Sequence, residues 1–137
     1  MTPEIQAYAT GFPVTLAHAA ISILLLALAG VTYARLSPHR ELTEIRDGNA
    51  ASAISFGGVL IGLAIPLAVS LTASTSVPEL LIWGVSVTLL QLLLFRLVDL
   101  ILRGMPQRVE EGDVAAAVLL AAAKLACALL IAAAVAG

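Results

Sequence analysis

Four long stretches of this 137-residue chain hold almost no charged side chain, and their spacing constrains the fold more than any other feature. The apolar parts of these stretches cover about residues 14–34, 48–72, 80–102 and 114–136. Each is close to the ~20 residues with which a helix crosses ~30 Å of hydrocarbon. The stretches are apolar on every side and do not alternate, which favours helices over barrel strands. The sequence therefore predicts an all-α membrane protein with four transmembrane helices, in a single integral membrane domain over residues 1–137.

The composition excludes several other classes of protein. Hydrophobic residues make up 61% of the chain and charged residues 12%, whereas a soluble domain has roughly 45–50% and about 25%. The net charge of −2 argues against a nucleic-acid partner, and one cysteine excludes an intrachain disulfide scaffold. The lipid bilayer is therefore the expected environment.

Basic side chains are concentrated in two segments that connect predicted helices, at residues 35–47 and 103–113. The first segment holds Arg35, Arg40 and Arg46, and the second holds Arg103 and Arg108. Short connections rich in Lys and Arg stay on the cytoplasmic side of a membrane. We therefore expect both connections to be cytoplasmic and both termini to lie on the opposite side, with Tyr33 in the aromatic belt at the inner interface.

The second half of the sequence matches the first half at an offset of 64 residues. The shared pattern is Gly-(Asn/Asp)-x-Ala-x-Ala, which begins at Gly48-Asn49 and again at Gly112-Asp113. Residues 14–73 and 78–137 would each form a helical hairpin. A hairpin returns the chain to the side on which it began, so the two repeats are expected to be parallel, related by a pseudo-two-fold axis along the membrane normal.

Small residues spaced four apart mark the second and fourth predicted helices. Gly58 and Gly62 form such a motif next to Gly57, and its counterpart is Ala122 and Ala126. Small residues at this spacing let two helix backbones approach closely in lipid. The motif fits a seam between two copies of the chain, or packing within one copy.

Three charged side chains and one glutamine fall inside the predicted spans: Arg96, Asp99, Lys124 and Gln91. The helical rise places Gln91 and Lys124 at similar depth near the midplane, and three-residue spacing predicts an Arg96–Asp99 pair. A charge at the helix centre costs roughly 2.5–3.5 kcal/mol on insertion scales, so Lys124 should face protein or water. These residues form either a functional polar site or a structural set, in which Lys124 hydrogen-bonds Gln91 and Arg96 extends to the headgroups.

Sequence signatures of known chemistry are missing. The chain has no Gly-rich phosphate loop, no Ser–His–Asp or Cys–His set and no zinc-ligand spacing. We therefore expect no catalytic residue, no metal ligand and no cofactor, and the protein is expected not to be an enzyme. Asp47, Asn49 and Asp113 stand near helix starts, where they are natural caps.

The pattern over residues 44–54 and 57–68, followed by Trp83-Gly84 and Gln91-Leu92, resembles one bacterial membrane family. It is the domain-of-unknown-function family numbered 350, also known as an uncharacterised inner-membrane protein family. The resemblance implies a multi-pass bacterial inner-membrane protein built from this hairpin repeat, with no established activity; in such a membrane, termini opposite the cytoplasmic connections would be periplasmic. The residues that form its loop motif are Glu44, Asp47, Gly48, Asn49, Gly112 and Asp113. Lys124 lies outside the pattern.

Two functions of different classes follow from these features. The first is a non-enzymatic, homo-oligomeric membrane module or scaffold, which presents two short charged connections to a cytoplasmic or membrane protein partner. The alternative is a small oligomeric channel or permease with a polar path at Gln91, Arg96 and Lys124. Four helices with few polar side chains do not enclose a pore alone, so the alternative requires an oligomer.

Overall fold

A computed structural model describes residues 2–37 and 40–137, and Pro38 and His39 of the predicted 35–47 connection lie outside the described residues. In the described part the chain is helical throughout, without strands. The helices are α1 (Pro3–Leu36), α2 (Glu41–Arg46), α3 (Ala50–Ala73), α4 (Val77–Ile101), α5 (Met105–Glu110) and α6 (Val114–Ala136). Among the described residues, α1, α3, α4 and α6 are long and apolar enough to cross a membrane. The predicted all-α fold with four spans is confirmed.

The ends of the long helices follow from capping side chains. Asn49 accepts the backbone N–H of Ser52 at 3.2 Å, and Asp113 accepts that of Ala116 at 3.3 Å. Each cap satisfies one of the N–H groups that the first turn of a helix leaves without a partner. These caps fix the starts of α3 and α6 within two residues of the predicted positions, and α4 begins three residues before its predicted start.

Helix α1 is much longer than the predicted span of residues 14–34. It begins at Pro3, where a missing backbone N–H costs nothing, and Thr2 caps it by accepting the N–H of Ile5 at 3.4 Å. Pro13 lies inside the helix and does not end it. Residues 3–17 are all exposed, so this part of α1 extends past the other helices without packing on them. The apolar run marks the membrane-crossing part, whereas the cap decides where the helix begins.

The two predicted connections each contain one short helix that the sequence interpretation did not include. These helices are α2 and α5, and each is followed by a glycine with positive φ: Gly48 at 93° and Gly112 at 91°. This conformation is open to glycine at little cost, and it turns the chain into the next long helix. We refer to the end of the bundle formed by α2 and α5 as the α2/α5 end.

Helix α3 is central to the bundle and contacts every other helix. One core cluster joins α1, α3 and α4, and its buried members are Ala29, Tyr33, Phe56, Val59, Leu63, Leu92 and Phe95. A second cluster lies near the α2/α5 end, and its buried members are Ala51, Val109, Ala116, Ala117 and Leu120. The outer faces of the spans expose large apolar side chains such as Ile61 and Leu89. Those faces contact the lipid bilayer.

Two glycines of α3 make close contacts within the monomer. A Cβ on Gly58 would lie 2.6 Å from the Cβ of Ala121, and one on Gly62 would lie 2.7 Å from the ring of Phe95. Gly57 has nothing within 4 Å of such a position. Packing within one copy, one of the two alternatives for this motif, therefore accounts for Gly58 and Gly62.

The counterpart motif on α6 does not face α3. Ala122 and Ala126 are exposed, and the buried face of α6 includes Ala117, Ala121 and Lys124 instead. Spacings of four and three residues place these last three on one side of a helix. The exposure of Ala122 and Ala126 leaves the other alternative, a seam between two copies of the chain, as the prediction for these two residues.

Candidate functional site

Three charged side chains of the predicted polar site come together in the structure, and a tyrosine joins them. They are Arg96 and Asp99 on α4 and Lys124 on α6, with Tyr33 contributed by α1. We call these four residues the buried ionic cluster. Lys124 is 0% exposed and Tyr33 1%, so this charged group lies inside the bundle rather than at its lipid face.

Lys124, Asp99 and Tyr33 form a closed set of polar contacts. The Nζ atom of Lys124 is 2.8 Å from Oδ1 of Asp99 and donates to the hydroxyl of Tyr33 at 2.5 Å. The Tyr33 hydroxyl in turn donates to Oδ2 of Asp99 at 2.8 Å. Because the Tyr33 hydroxyl both accepts and donates, each of the three side chains is in polar contact with the other two.

Arg96 is the loosest member of the buried ionic cluster. Its Nη1 atom is 3.8 Å from Oδ2 of Asp99, and its side chain is 32% exposed. The Arg96–Asp99 pair predicted from their spacing is present. It is longer than the Lys124–Asp99 pair, which is 2.8 Å.

One aromatic ring lies beside the Lys124 ammonium group, and a second packs against that ring. Its Nζ atom is 4.8 Å from the centre of the Tyr33 ring. Phe95 meets that ring edge-on with a centroid separation of 6.3 Å. Ammonium groups are attracted to the faces of aromatic rings, and the attraction is stronger where water is excluded. Tyr33 therefore stabilises the lysine both through its hydroxyl and through its ring.

Gln91 does not belong to the buried ionic cluster. Its Nε2 atom donates to the backbone carbonyl of Gly62 at 3.0 Å. That carbonyl would accept an N–H from residue 66 in a regular helix, but Pro66 has no N–H to donate. Gln91 therefore replaces a hydrogen bond that the proline removes, and the expected Lys124–Gln91 hydrogen bond is not formed. The Oε1 atom of Gln91 is buried and has no hydrogen-bond partner among the described residues.

A cavity of about 410 Å³ leads from the α2/α5 end to the buried ionic cluster. Arg96, Asp99, Arg103 and Gln107 contribute polar groups to its lining, together with Leu100 and Pro106. Of the predicted polar residues, Arg96 and Asp99 line this cavity, whereas Lys124 and Gln91 are fully buried. Access to the cluster is therefore through Arg96 and Asp99.

The predicted loop motif has a structural role in the fold. The Nδ2 atom of Asn49 donates to the carbonyls of Val109 at 3.2 Å and Glu110 at 3.1 Å, which joins the start of α3 to α5. Ser52 donates to Glu44 at 2.5 Å, which holds α2 on α3. Asp47 ends α2 and is exposed.

The corresponding turn before α6 is held by an ion pair. Arg108 and Asp113 are in contact, with Nη2 of the arginine 2.5 Å from Oδ2 of the aspartate. The backbone N–H of Ala116, and then Arg108, lower the pKa of Asp113 below its usual range because both stabilise the carboxylate. Among the described residues, no group of three His, Cys, Asp or Glu side chains could hold a metal ion.

Tyr33 is the member of the buried ionic cluster that the sequence interpretation missed. It was expected at the inner interface as an aromatic belt residue, and the structure buries it between α1, α4 and α6 instead. One signal was available. Tyr33 and Asp99 both lie near those ends of α1 and α4 that lead to the basic connections, so they are at similar depth.

Comparison with known proteins agrees with these features. Residues 7–135 match the family model described as Domain of Unknown Function (DUF350). The chain is 31% identical over 94 residues to the UPF0719 inner membrane protein YjfL of Escherichia coli K12 and to that of Escherichia coli O157:H7, covering 69% of this chain and 71% of each relative. No solved structure matches the chain. The resemblance found in the sequence is confirmed, and the chain belongs to the DUF350 family.

Proposed function

We propose that this protein is a non-enzymatic module of the bacterial inner membrane that binds a protein partner at its α2/α5 end. In this proposal the buried ionic cluster locks α1, α4 and α6 in the arrangement that presents α2 and α5. The observation that carries the proposal is the Lys124–Asp99 pair, closed by Tyr33. Ionisable groups inside a membrane are costly, and one that joins three helices favours a single arrangement of them.

The surface offered to a partner carries charges of both signs. Arg46 and Asp47 follow one another at the end of α2, and Glu110 and Glu111 do so at the end of α5; all four are exposed. Asn49 ties these two regions together through the carbonyls of α5. A rigid surface with mixed charges is suited to recognising a complementary protein surface.

The proposal includes two parallel hairpin repeats. In its support, α2 and α5 have the same length and occupy positions 64 residues apart. The turns after them agree as well. The backbone N–H of Gly48 donates to the carbonyl of Ile45, and that of Gly112 donates to the carbonyl of Val109, so the same bond recurs 64 residues later. At that offset the counterparts of Tyr33, Asp99 and Lys124 are Leu97, Arg35 and Leu60, so the buried ionic cluster would belong to one interface between the repeats and not to both.

The proposed orientation places the α2/α5 end in the cytoplasm and both termini in the periplasm. Its support is the position of five arginines in or beside the two connections, since basic connections resist export. We propose the inner membrane as its location because both Escherichia coli relatives are named as inner membrane proteins. Homo-oligomers are proposed from small residues that remain on the outside of the monomer, namely Gly57, Ala122 and Ala126.

Site-directed crosslinking in cells tests partner binding. The variant neutralises the four exposed charges at once, with Arg46→Gln, Asp47→Asn, Glu110→Gln and Glu111→Gln. Its control is Glu4→Gln, at the other end of α1. We expect crosslinks from the α2/α5 end to fall at least several-fold in the variant and to persist in the control. Crosslinks that survive neutralisation of all four charges would contradict the proposal.

A small permease is the second candidate, and the cavity that reaches Arg96 and Asp99 is the observation that favours it. Transport would require an oligomer or a second arrangement of the helices, because Gln91 and Lys124 are fully buried. Flux through proteoliposomes distinguishes the two candidates. A permease would show solute movement that Lys124→Leu abolishes, whereas movement at background level in both proteins would exclude it.

A further inference from the structure

The cavity at the α2/α5 end has more positive than negative charge around it. Arg96 and Arg103 line it, and Asp99 is the acidic residue of its lining. The fully buried Lys124 already contacts that carboxylate at 2.8 Å. The lining therefore holds two cations and one anion, with Lys124 paired to that anion from behind, and its net positive charge attracts a further negative charge.

Neither guanidinium of the cavity has its hydrogen-bonding capacity satisfied by the protein. Arg96 reaches Asp99 only at 3.8 Å, whereas Lys124 and Tyr33 contact the carboxylate oxygens at 2.8 Å. Arg103 is exposed and makes no hydrogen bond or ion pair with the part of the chain that the structure describes. Guanidinium groups bind phosphate with two parallel N–H donors, so both arginines of the lining have donors to offer to a phosphate group.

The residues around the cavity indicate how a ligand that carries such a phosphate would be oriented. Leu100, in the lining, is 58% exposed, and Ile101 next to it is 77% exposed. Both belong to the last turn of α4, at the end of an apolar span. A ligand held by the arginines could therefore place acyl chains along the outer face of α4. Basic pockets at membrane-proximal ends of helices commonly take lipid headgroups.

A second cavity of about 330 Å³ lies beside α2 and is lined in part by Arg35, Arg40 and Glu41. At the offset of 64 residues, Arg40, Leu42 and Thr43 in this lining correspond to Gly104, Pro106 and Gln107 in the first. The second cavity has no intramembrane lysine behind it, and Glu41 is buried in its wall. The excess of positive charge is therefore larger at the first cavity.

We infer that the cavity lined by Arg96 and Arg103 binds the phosphate group of an anionic phospholipid headgroup. This inference does not depend on the proposed protein partner. In this inference Arg103, which the fold does not use, binds the ligand, and Arg96 contacts both the ligand and Asp99.

Lipid binding to the purified full-length protein in neutral detergent tests the inference. Native mass spectrometry would count adducts of short-chain phosphatidylglycerol, with phosphatidylcholine as the zwitterionic comparison. The variant is Arg103→Gln. The matched control is Arg46→Gln, which removes the same charge from an exposed arginine of α2 that lines neither cavity. We expect Arg103→Gln to bind phosphatidylglycerol about tenfold more weakly, as loss of a charge-assisted hydrogen bond predicts, and Arg46→Gln to bind normally.

Further arms separate the alternatives. Arg103→Lys should bind with intermediate affinity, since it keeps the charge and loses the paired donors. Equal affinity of the wild type and Arg103→Gln, or equal losses in Arg103→Gln and Arg46→Gln, would overturn the inference. Inorganic phosphate that displaces the lipid at similar concentration would keep a phosphate site and overturn the lipid as its ligand.

Discussion

Asp99 is the residue on which the buried ionic cluster depends. Its two oxygens contact Lys124 and Tyr33 at 2.8 Å each, and Arg96 is 3.8 Å away. Removing one member of a buried ion pair leaves the other charge without compensation, and that costs more free energy than the pair itself contributes. The residues around Asp99 are therefore more sensitive to single substitutions than to paired ones.

The substitution Asp99→Asn keeps the size of the side chain and removes its charge. We expect it to destabilise the fold by about 3–5 kcal/mol, because Lys124 would remain buried without a counterion. Denaturation of the purified protein by SDS, followed by circular dichroism, measures the loss.

The control is the double variant Asp99→Asn with Lys124→Met, together with each single variant. The double variant should lose clearly less stability than the sum of the two single losses, since the second substitution removes the uncompensated charge. Additive losses would mean that the two side chains do not interact.

At the same scale, Tyr33 shows why sequence alone predicted part of the cluster. Arg96 and Asp99 are three residues apart on one helix, so helical geometry predicts their contact. Tyr33 lies 66 residues from Asp99 along the chain, and its contact depends on how α1 packs against α4. The missing hydrogen-bond donor of Pro66, which engages Gln91, likewise becomes visible only when α3 and α4 are placed together.

Among the helices, α3 and α6 approach one another most closely at Gly58. A methyl group there would lie 2.6 Å from the Cβ and 2.8 Å from the Cα of Ala121, and a backbone atom cannot move aside by rotating a side chain. The space between these helices is therefore set by the absence of a side chain at Gly58.

Gly58→Ala should destabilise the protein by about 1–3 kcal/mol, because the added methyl group forces α3 away from α6. Gly57→Ala is its matched control, since nothing lies within 4 Å of the position that its Cβ would take. The control should leave stability unchanged or raise it by up to about 1 kcal/mol, because alanine favours a helix more than glycine does. Melting temperatures in the same detergent compare the two, and equal losses would show that the close approach is not limiting.

The caps of α3 and α6 differ in one respect that pH can reveal. Asn49 and Asp113 both accept a backbone N–H, but Asp113 titrates. Its pKa is lowered in the folded protein, first by the N–H of Ala116 and then by Arg108. Its contribution to stability is therefore complete above the unfolded pKa of about 3.9 and is lost as the pH falls through the lower folded value.

Asp113→Asn keeps an acceptor for the cap and removes both the titration and the charge opposite Arg108. We expect the wild type to be more stable than Asp113→Asn at pH 7 and the difference to shrink as the pH falls below about 4. Thermal unfolding at a series of pH values measures the difference. A difference that stays constant down to pH 2 would contradict this account.

On the scale of the whole molecule, the charges lie mainly at one end of the bundle. Arg40, Arg46, Arg103 and Arg108 all belong to the α2/α5 end or its approaches. The proposed topology follows from this asymmetry. We expect alkaline phosphatase to be active when fused at Thr75 or Gly137 and inactive when fused at Asp47 or Gly112. The opposite pattern would invert the orientation.

The sequence predicted the number of membrane helices because charge is excluded from hydrocarbon over a fixed length. For the same reason α3, α4 and α6 begin within three residues of the predicted positions. The short helices α2 and α5 were not predicted, since each has only six residues and is held largely by contacts with longer helices. The sequence also did not indicate which face of α6 packs against α3, because alanines lie on every side of α6 and no single face is more hydrophobic than the others.

The length of α1 has a consequence for how the protein meets its membrane. Its 34 residues measure about 51 Å at 1.5 Å per residue, whereas the 23 to 25 residues of the other spans measure about 35–38 Å. The apolar part of α1, residues 14–34, is about as long as the other spans, so the extra length belongs to the residues before it, which extend past the hydrocarbon. Because residues 3–17 are all exposed, this end of α1 presents its side chains to the surroundings of the bundle and not to its core.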